Sequence, residues 1–305
     1  MEPRTALCIW SLWLAQIFLI ENIEAKAQNK DSTAINETDV IARLDPKNPI
    51  QSQTWSGLNC FGKYPNLSKL TDSGVAGPVE DSQNQMRFGR TADPLDPSRI
   101  AFIFNVYASD PLTAGAKRCE ALAPPTADTA IPRARPFWYA FRILLWRGAE
   151  VQSGRAMLTQ WHVHGFNPFF GLVIKDGYLS FTARYNQRPG GKKSDLTTLE
   201  LWRDDAPVQR RWMTFVVQAN VSPHADEGPF IRIWRDGQLL VDRAGPLGYI
   251  DNGLAYAKIG YYHWLNDNPW DDSKPERTVF VSNAVLVRDE RRRYTELQLR
   301  QLANE

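Results

Sequence analysis

Hydrophobic and polar positions alternate along most of this chain with the period of two that belongs to half-buried strands. The runs IAFIFNVYA (100–108), PFWYAFRILLW (136–146), MLTQWHVHG (157–165), WMTFVVQANV (212–221) and TVFVSNAVLV (278–287) are rich in aromatic and β-branched residues. Each predicts a strand. Two Asp-Gly pairs, Asp176-Gly177 and Asp236-Gly237, stand between apolar runs. They predict tight hairpins, because a type I′ turn needs positive φ at both central residues. Helical spacing is confined to DERRRYTELQLRQLANE, so residues 291–305 read as a short closing helix or a tail. Residues 28–50 are polar without a sustained period and read as a linker. Many short strands with turn signals between them, and no internal repeat, argue for one all-β sandwich of jelly-roll type over 51–290.

The same alternation assigns faces, since every second side chain of a strand points the same way. In LTQWHVHG, Gln160, His162 and His164 share one face, and Trp161 and Val163 the other. In YAKIGYYHW, Tyr256, Lys258, Gly260, Tyr262 and Trp264 lie opposite Ala257, Ile259, Tyr261 and His263. In AKRCEAL, Arg118 and Glu120 lie opposite Cys119. Three strands therefore each offer a polar set on one face. One curved sheet could gather the three sets into a groove.

Composition narrows the classes. A hydrophobic fraction of 43% and a charged fraction of 23% suit a globular chain with a sizeable core. A net charge of +2 is too balanced for a protein whose business is coating nucleic acid. Eleven tryptophans are a generous supply, available to the core or as flat platforms for sugar rings. Arg4 precedes the apolar run ALCIWSLWLAQIFLI, and the small residues of AKA follow at 25–27. Residues 1–27 accordingly read as a signal peptide, with an uncleaved anchor as the alternative. Its removal takes Cys8 and leaves Cys60 and Cys119, an even pair that fits one disulfide in an exported chain, or else two buried thiols. No second long apolar run follows, so no membrane association is expected after removal.

A glutamine amide and an arginine can hold and neutralise a carboxylate, a histidine or tyrosine can take a proton, and a tyrosine can give one. That set suits β-elimination from a uronic acid, in which neutralising the C6 carboxylate acidifies the C5 proton and an acid protonates the departing O4. Hydrolysis would instead want paired carboxylates flanking the bond, and the acidic residues here are scattered over loops. With four histidines in the chain, HVH supplies two metal ligands and no obvious third. A G-x-S-x-G elbow, a P-loop and a dinucleotide fingerprint are absent from the sequence.

These residues resemble those of the jelly-roll polysaccharide lyases, the group holding heparin lyase I, glucuronan lyase and related alginate lyases. The group's Q-x-H strand is matched by Gln160-Trp161-His162 and its Y-x-K-x-G-x-Y strand by Tyr256, Lys258, Gly260 and Tyr262. The R-x-E strand of the alginate branch is matched more loosely by Arg118 and Glu120. PFWYAFRILL, WRDGQLLVDRAGP and TVFVSNAVLV resemble the framework around them, over roughly 55–290. The resemblance implies an all-β, concanavalin A-like jelly roll of two antiparallel sheets with a concave groove. It implies His162 as base or charge stabiliser, Tyr262 as acid or as both acid and base, and Gln160 and Arg118 as carboxylate neutralisers. Lys258, Glu120, His164, Tyr256, Trp264 and Arg184 are then the candidate substrate contacts. Where the family strand commonly ends in Asn-Gln or an aromatic pair, this one ends in His263-Trp264.

The expected protein is a secreted or periplasmic monomeric polysaccharide lyase whose partner is an acidic polysaccharide rather than nucleic acid. Its chemistry would need no cofactor, and the fold leaves room for a structural calcium. The competing expectation is a non-catalytic glycan-binding module that uses the same face.

Overall fold

A computed structural model describes residues 34–47, 55, 57–60, 79–80, 86–112, 115–149, 155–186, 188, 195–206, 210–250, 253–265, 270 and 275–305. The expected signal peptide lies outside the described residues. In chain order the strands begin with β1 (Val40–Leu44), β2 (Gly57–Cys60), β3 (Val79–Glu80), β4 (Met86–Ala92), β5 (Ile100–Tyr107) and β6 (Ala116–Leu122). They continue with β7 (Pro136–Leu145), β8 (Arg155–Val163), β9 (Phe170–Lys175), β10 (Tyr178–Tyr185) and β11 (Thr197–Asp204). Last come β12 (Trp212–Asn220), β13 (Phe230–Arg235), β14 (Gln238–Ala244), β15 (Ala255–Trp264) and β16 (Glu276–Arg288), closed by helix α1 (Glu296–Asn304).

These strands form two antiparallel sheets, the jelly roll expected from the alternation. The seven-stranded sheet runs β11-β10-β9-β8-β15-β6-β2. The nine-stranded sheet runs β14-β13-β12-β7-β16-β5-β4-β3, with β1 added against β16. Both Asp-Gly hairpins form as predicted: φ is 47° and 84° at Asp176 and Gly177, and 52° and 89° at Asp236 and Gly237. Between the sheets lies one apolar core. β8 sends Leu158, Trp161 and Val163 into it, β15 sends Ala257, Ile259 and Tyr261, and β7 sends Phe137, Tyr139 and Phe141.

Two expectations change. The stretch read as a linker contains β1, which pairs with β16 from Val40↔Val287 to Leu44↔Ala284. Ile41, Ala42 and Leu44 are buried there; five residues are too few to display a period, and their partner lies far along the chain. The C-terminal stretch resolves into a helix rather than a tail. Thr295 and Gln298 form a reciprocal capping box at its start. Leu299 and Ala303 face inward, while Thr214 donates to Asn304 and Asn283 to the Leu302 carbonyl. Thr214 and Asn283 point away from the core, so α1 covers the outer face of the nine-stranded sheet.

Candidate active site

Among the described residues no such helix lies over the outer face of the seven-stranded sheet, and the polar sets meet there. Strand β15 lies between β8 and β6, so its Tyr256 and Lys258 stand opposite His162 and Gln160. On its other side Tyr262 stands opposite Arg118, and Gly260 opposite Glu120. A register shift between Ile259 and Tyr262 sets Tyr262 against Met157 rather than the core residue Ala156. Without that shift, Tyr262 would oppose a core-facing residue. The glycine follows from the same feature. Its φ is 144°, and a Cβ built there would meet the Cys119 carbonyl oxygen at 2.3 Å. Only glycine lets β15 approach β6 so closely without moving the backbone.

The floor of this cluster is closed to water: Gln160 and Glu120 are each 1% exposed, Lys258 6% and Tyr262 7%. Gln160 donates from Nε2 to the Glu120 Oε1, and the Lys258 ammonium lies 3.9 Å from the other carboxylate oxygen. Arg118 lies over the Tyr262 ring, with its guanidinium carbon 4.1 Å from the centroid. The His162 and Tyr256 rings are 5.4 Å apart, and the Lys258 ammonium is 5.6 Å from the Tyr256 centroid. His162 and Tyr262 therefore stand at opposite ends of the Gln160–Lys258 row. Half-buried Arg118, His162 and Trp264 and exposed His164 make the accessible rim.

Electrostatics separates the two proton-handling groups. Burial, followed by the charges of Lys258, His164 and Arg118, lowers the His162 imidazole from 6.5 to about 3. Burial raises the Tyr262 phenol above its usual value, and Arg118 opposes that shift without reversing it. One group is thus held as a neutral acceptor and the other as a protonated donor. Among the described residues, no group of three or more His, Cys, Asp or Glu side chains is gathered where a metal could sit.

Residues 68–285 match the model of the family described as polysaccharide lyase. The chain belongs to the polysaccharide lyase family. The lyase resembles solved structures at the level of fold. An endo-β-1,4-glucuronan lyase from the fungus Trichoderma reesei superposes with a TM-score of 0.56 at 15% identity, over 70% of this chain and 92% of that one. An alginate lyase of polysaccharide lyase family 7 superposes with a TM-score of 0.52 at 14% identity, over 79% of this chain and 99% of that one. No curated protein matches the sequence.

In this lyase, most of the residues picked out by alternation fall on the expected face. Gln160, His162, Lys258, Glu120, Arg118, Tyr256 and Tyr262 form one connected set. Two assignments shift. Glu120, expected among the substrate contacts, is buried and bound to the site's own Gln160 and Lys258, so it positions the groups around it. Arg184 is not gathered into the set. Two strands away on β10, its guanidinium donates to the Pro168 carbonyl and lies beside Tyr249, bracing the turn that follows β8. His164 falls just beyond β8, exposed in that turn. Trp264 packs edge-on against Tyr262, with centroids 4.5 Å apart. Cys60 and Cys119, directly opposite on β2 and β6, form the disulfide. That bond ties an edge strand to the strand carrying Arg118 and Glu120.

Proposed function

We propose that the lyase cleaves a uronic-acid-containing polysaccharide by β-elimination. The observation that carries this reading is the charge arrangement. Among the described residues the cluster holds one carboxylate, Glu120, and it is already engaged by Gln160 and Lys258. Around it stand Arg118, Lys258 and an uncharged imidazole. Such a surface favours an incoming carboxylate, and its described residues hold no flanking carboxylate pair of the kind that hydrolysis of a glycosidic bond calls for.

In this scheme the C6 carboxylate of the substrate meets Arg118 and the second N–H of the Gln160 amide, with Lys258 behind them. Neutralising it stabilises the carbanionic character that develops at C5. His162, held neutral, takes the C5 proton. The bound carboxylate offsets the positive charges that depress the imidazole, so its basicity rises as substrate enters. The electron pair left at C5 forms the C4=C5 bond, and the C4–O4 bond breaks. Tyr262, kept protonated by burial, gives its proton to the leaving O4. The proton on His162 and the phenolate of Tyr262 recombine through solvent as products leave, restoring both groups. The same reading makes the chain a monomeric enzyme, and an exported one, the export supported by the apolar run near its start and by the disulfide.

The test is the ultraviolet absorbance of the conjugated C4=C5 bond during incubation with polyglucuronate, polymannuronate and polyguluronate. Growth of that absorbance with at least one polymer is expected. Chain scission without it would mean hydrolysis, and no scission with retained binding would mean a glycan-binding module.

A further inference from the structure

One row of the outer face, two residues beyond Tyr262 along β15, is not used by the chemistry above. Antiparallel register places Trp264 directly opposite Arg155, Arg155 opposite Lys175, and Lys175 opposite Tyr178. Side chains paired in this way share a face, so the row crosses β15, β8, β9 and β10 at right angles to the strands. It lies on the catalytic side, because Trp264 packs on the outward cluster of Tyr262, Met157, Val173 and Ala116. In order across the sheet the row reads aromatic, cation, cation, aromatic.

Among the described residues the two cations are poorly compensated. Arg155 makes no ion pair with any described residue, and its guanidinium lies 5.9 Å from the centroid of the Trp264 ring. Lys175 has its neighbour Asp176 at 3.9 Å, with the lysine side chain 41% and the aspartate 52% exposed. An exposed pair of that kind holds its cation weakly. At the far end the Tyr178 ring carries the Arg203 guanidinium 3.6 Å from its centroid, which fixes the ring plane. Strands are about 4.8 Å apart, a step on the scale of one pyranose ring.

We infer that this row binds the uronates flanking the scissile bond, their carboxylates on Arg155 and Lys175 and their apolar ring faces on Trp264 and Tyr178. Two adjacent cations need two adjacent carboxylates. The substrate class is therefore a run of consecutive uronates, rather than a polymer in which uronates alternate with neutral or amino sugars. Cleavage falls within chains, since binding energy is collected away from the reacting sugar. This inference rests on the proposed uronan chemistry, and the experiment separates the two.

The double variant Arg155→Ala/Lys175→Ala is compared with the charge-conserving Arg155→Lys/Lys175→Arg, using size-graded polyglucuronate and polyguluronate fragments. Elimination is followed by absorbance, and binding by retardation in gels containing the polymer. In the wild type, kcat/KM should climb with fragment length until the row is spanned. The alanine variant should lose about tenfold in kcat/KM on long chains, through KM, and lose its retardation, while the charge-conserving variant keeps both. An alanine variant with wild-type KM and retardation on long chains would overturn the row while leaving β-elimination intact. A wild type that forms no C4=C5 bond, yet is retarded through Arg155 and Lys175, would overturn the elimination chemistry and keep the row.

Discussion

The two sheets turn similar materials outward and put them to different ends. On the nine-stranded sheet, Arg142 lies over the Trp212 ring at 4.6 Å, much as Arg118 lies over Tyr262 at 4.1 Å on the other. On the nine-stranded sheet, however, several outward polar groups are tied to protein partners: the Trp212 indole donates to Asp93, Trp138 donates to Asp289, and α1 bonds to Thr214 and Asn283. Around Tyr262, among the described residues, the cations outnumber the single carboxylate and no helix lies over them. A cation over an aromatic ring is thus no mark of a site. What marks one is a polar cluster whose charges stay unbalanced because a ligand of the opposite sign completes it.

The comparison can be broken most sharply at Tyr262. Tyr262→Phe removes the acid but keeps the ring under Arg118, so turnover should fall about 10²–10⁴-fold with an unchanged thermal unfolding curve. Wild-type turnover in that variant would remove Tyr262 from the chemistry. Glu120→Ala comes next. It strips Gln160 of its acceptor and Lys258 of its counter-charge, and stopped-flow elimination rates should drop about ten- to a hundredfold. Glu120→Gln keeps a polar partner but no charge. It should lose less, and it should move the alkaline limb of the pH profile downward, because the Glu120 charge helps to raise the Tyr262 phenol.

A subtler probe is acidity. With His162 lowered from 6.5 to about 3, the free enzyme's base is already competent in mild acid. Then kcat/KM should show no acid limb near the ordinary histidine value when measured from about pH 4 to 8. A midpoint near 6.5 would mean that the imidazole is solvated. The same shift affects stability. Between 6.5 and about 3 the unfolded chain binds a proton that the folded one refuses, so this contribution is complete above 6.5 and drains away as pH falls. Smallest of all should be Thr214→Ala on the helix-covered face. It costs about 1 kcal/mol, read as a lower Tm, with kcat untouched; a change in kcat would mean that the two faces are coupled.

Strand faces were legible in the sequence because alternation survives within each strand: Trp161 and Val163 against Gln160 and His162, Cys119 against Arg118 and Glu120. What joins strands was not. The register shift at Gly260, the bond from Gln160 to Glu120 and the row from Trp264 to Tyr178 all depend on which strands are neighbours. β6, β15 and β8 are far apart in the chain and come together only in the assembled sheet. Arg184 shows the converse error, a basic residue on the right face but on a strand too distant to reach the cluster. β1 was missed because five residues carry no period, and their burial is decided by a partner at the other end of the chain.

That partner strand has a consequence for how the protein comes into being. β16 is hydrogen-bonded to β7 and β5 in the middle of the nine-stranded sheet and also receives β1. It is therefore the keystone of that sheet, and it is made after every other described strand. Until it emerges, β1, β5 and β7 lack the strand that unites them, and pairings this distant in sequence form slowly in any case. A growing chain cannot complete its core ahead of its own synthesis. The strands on either side of β16 therefore wait for one another, and the sheet closes over its core only once this late strand has joined them.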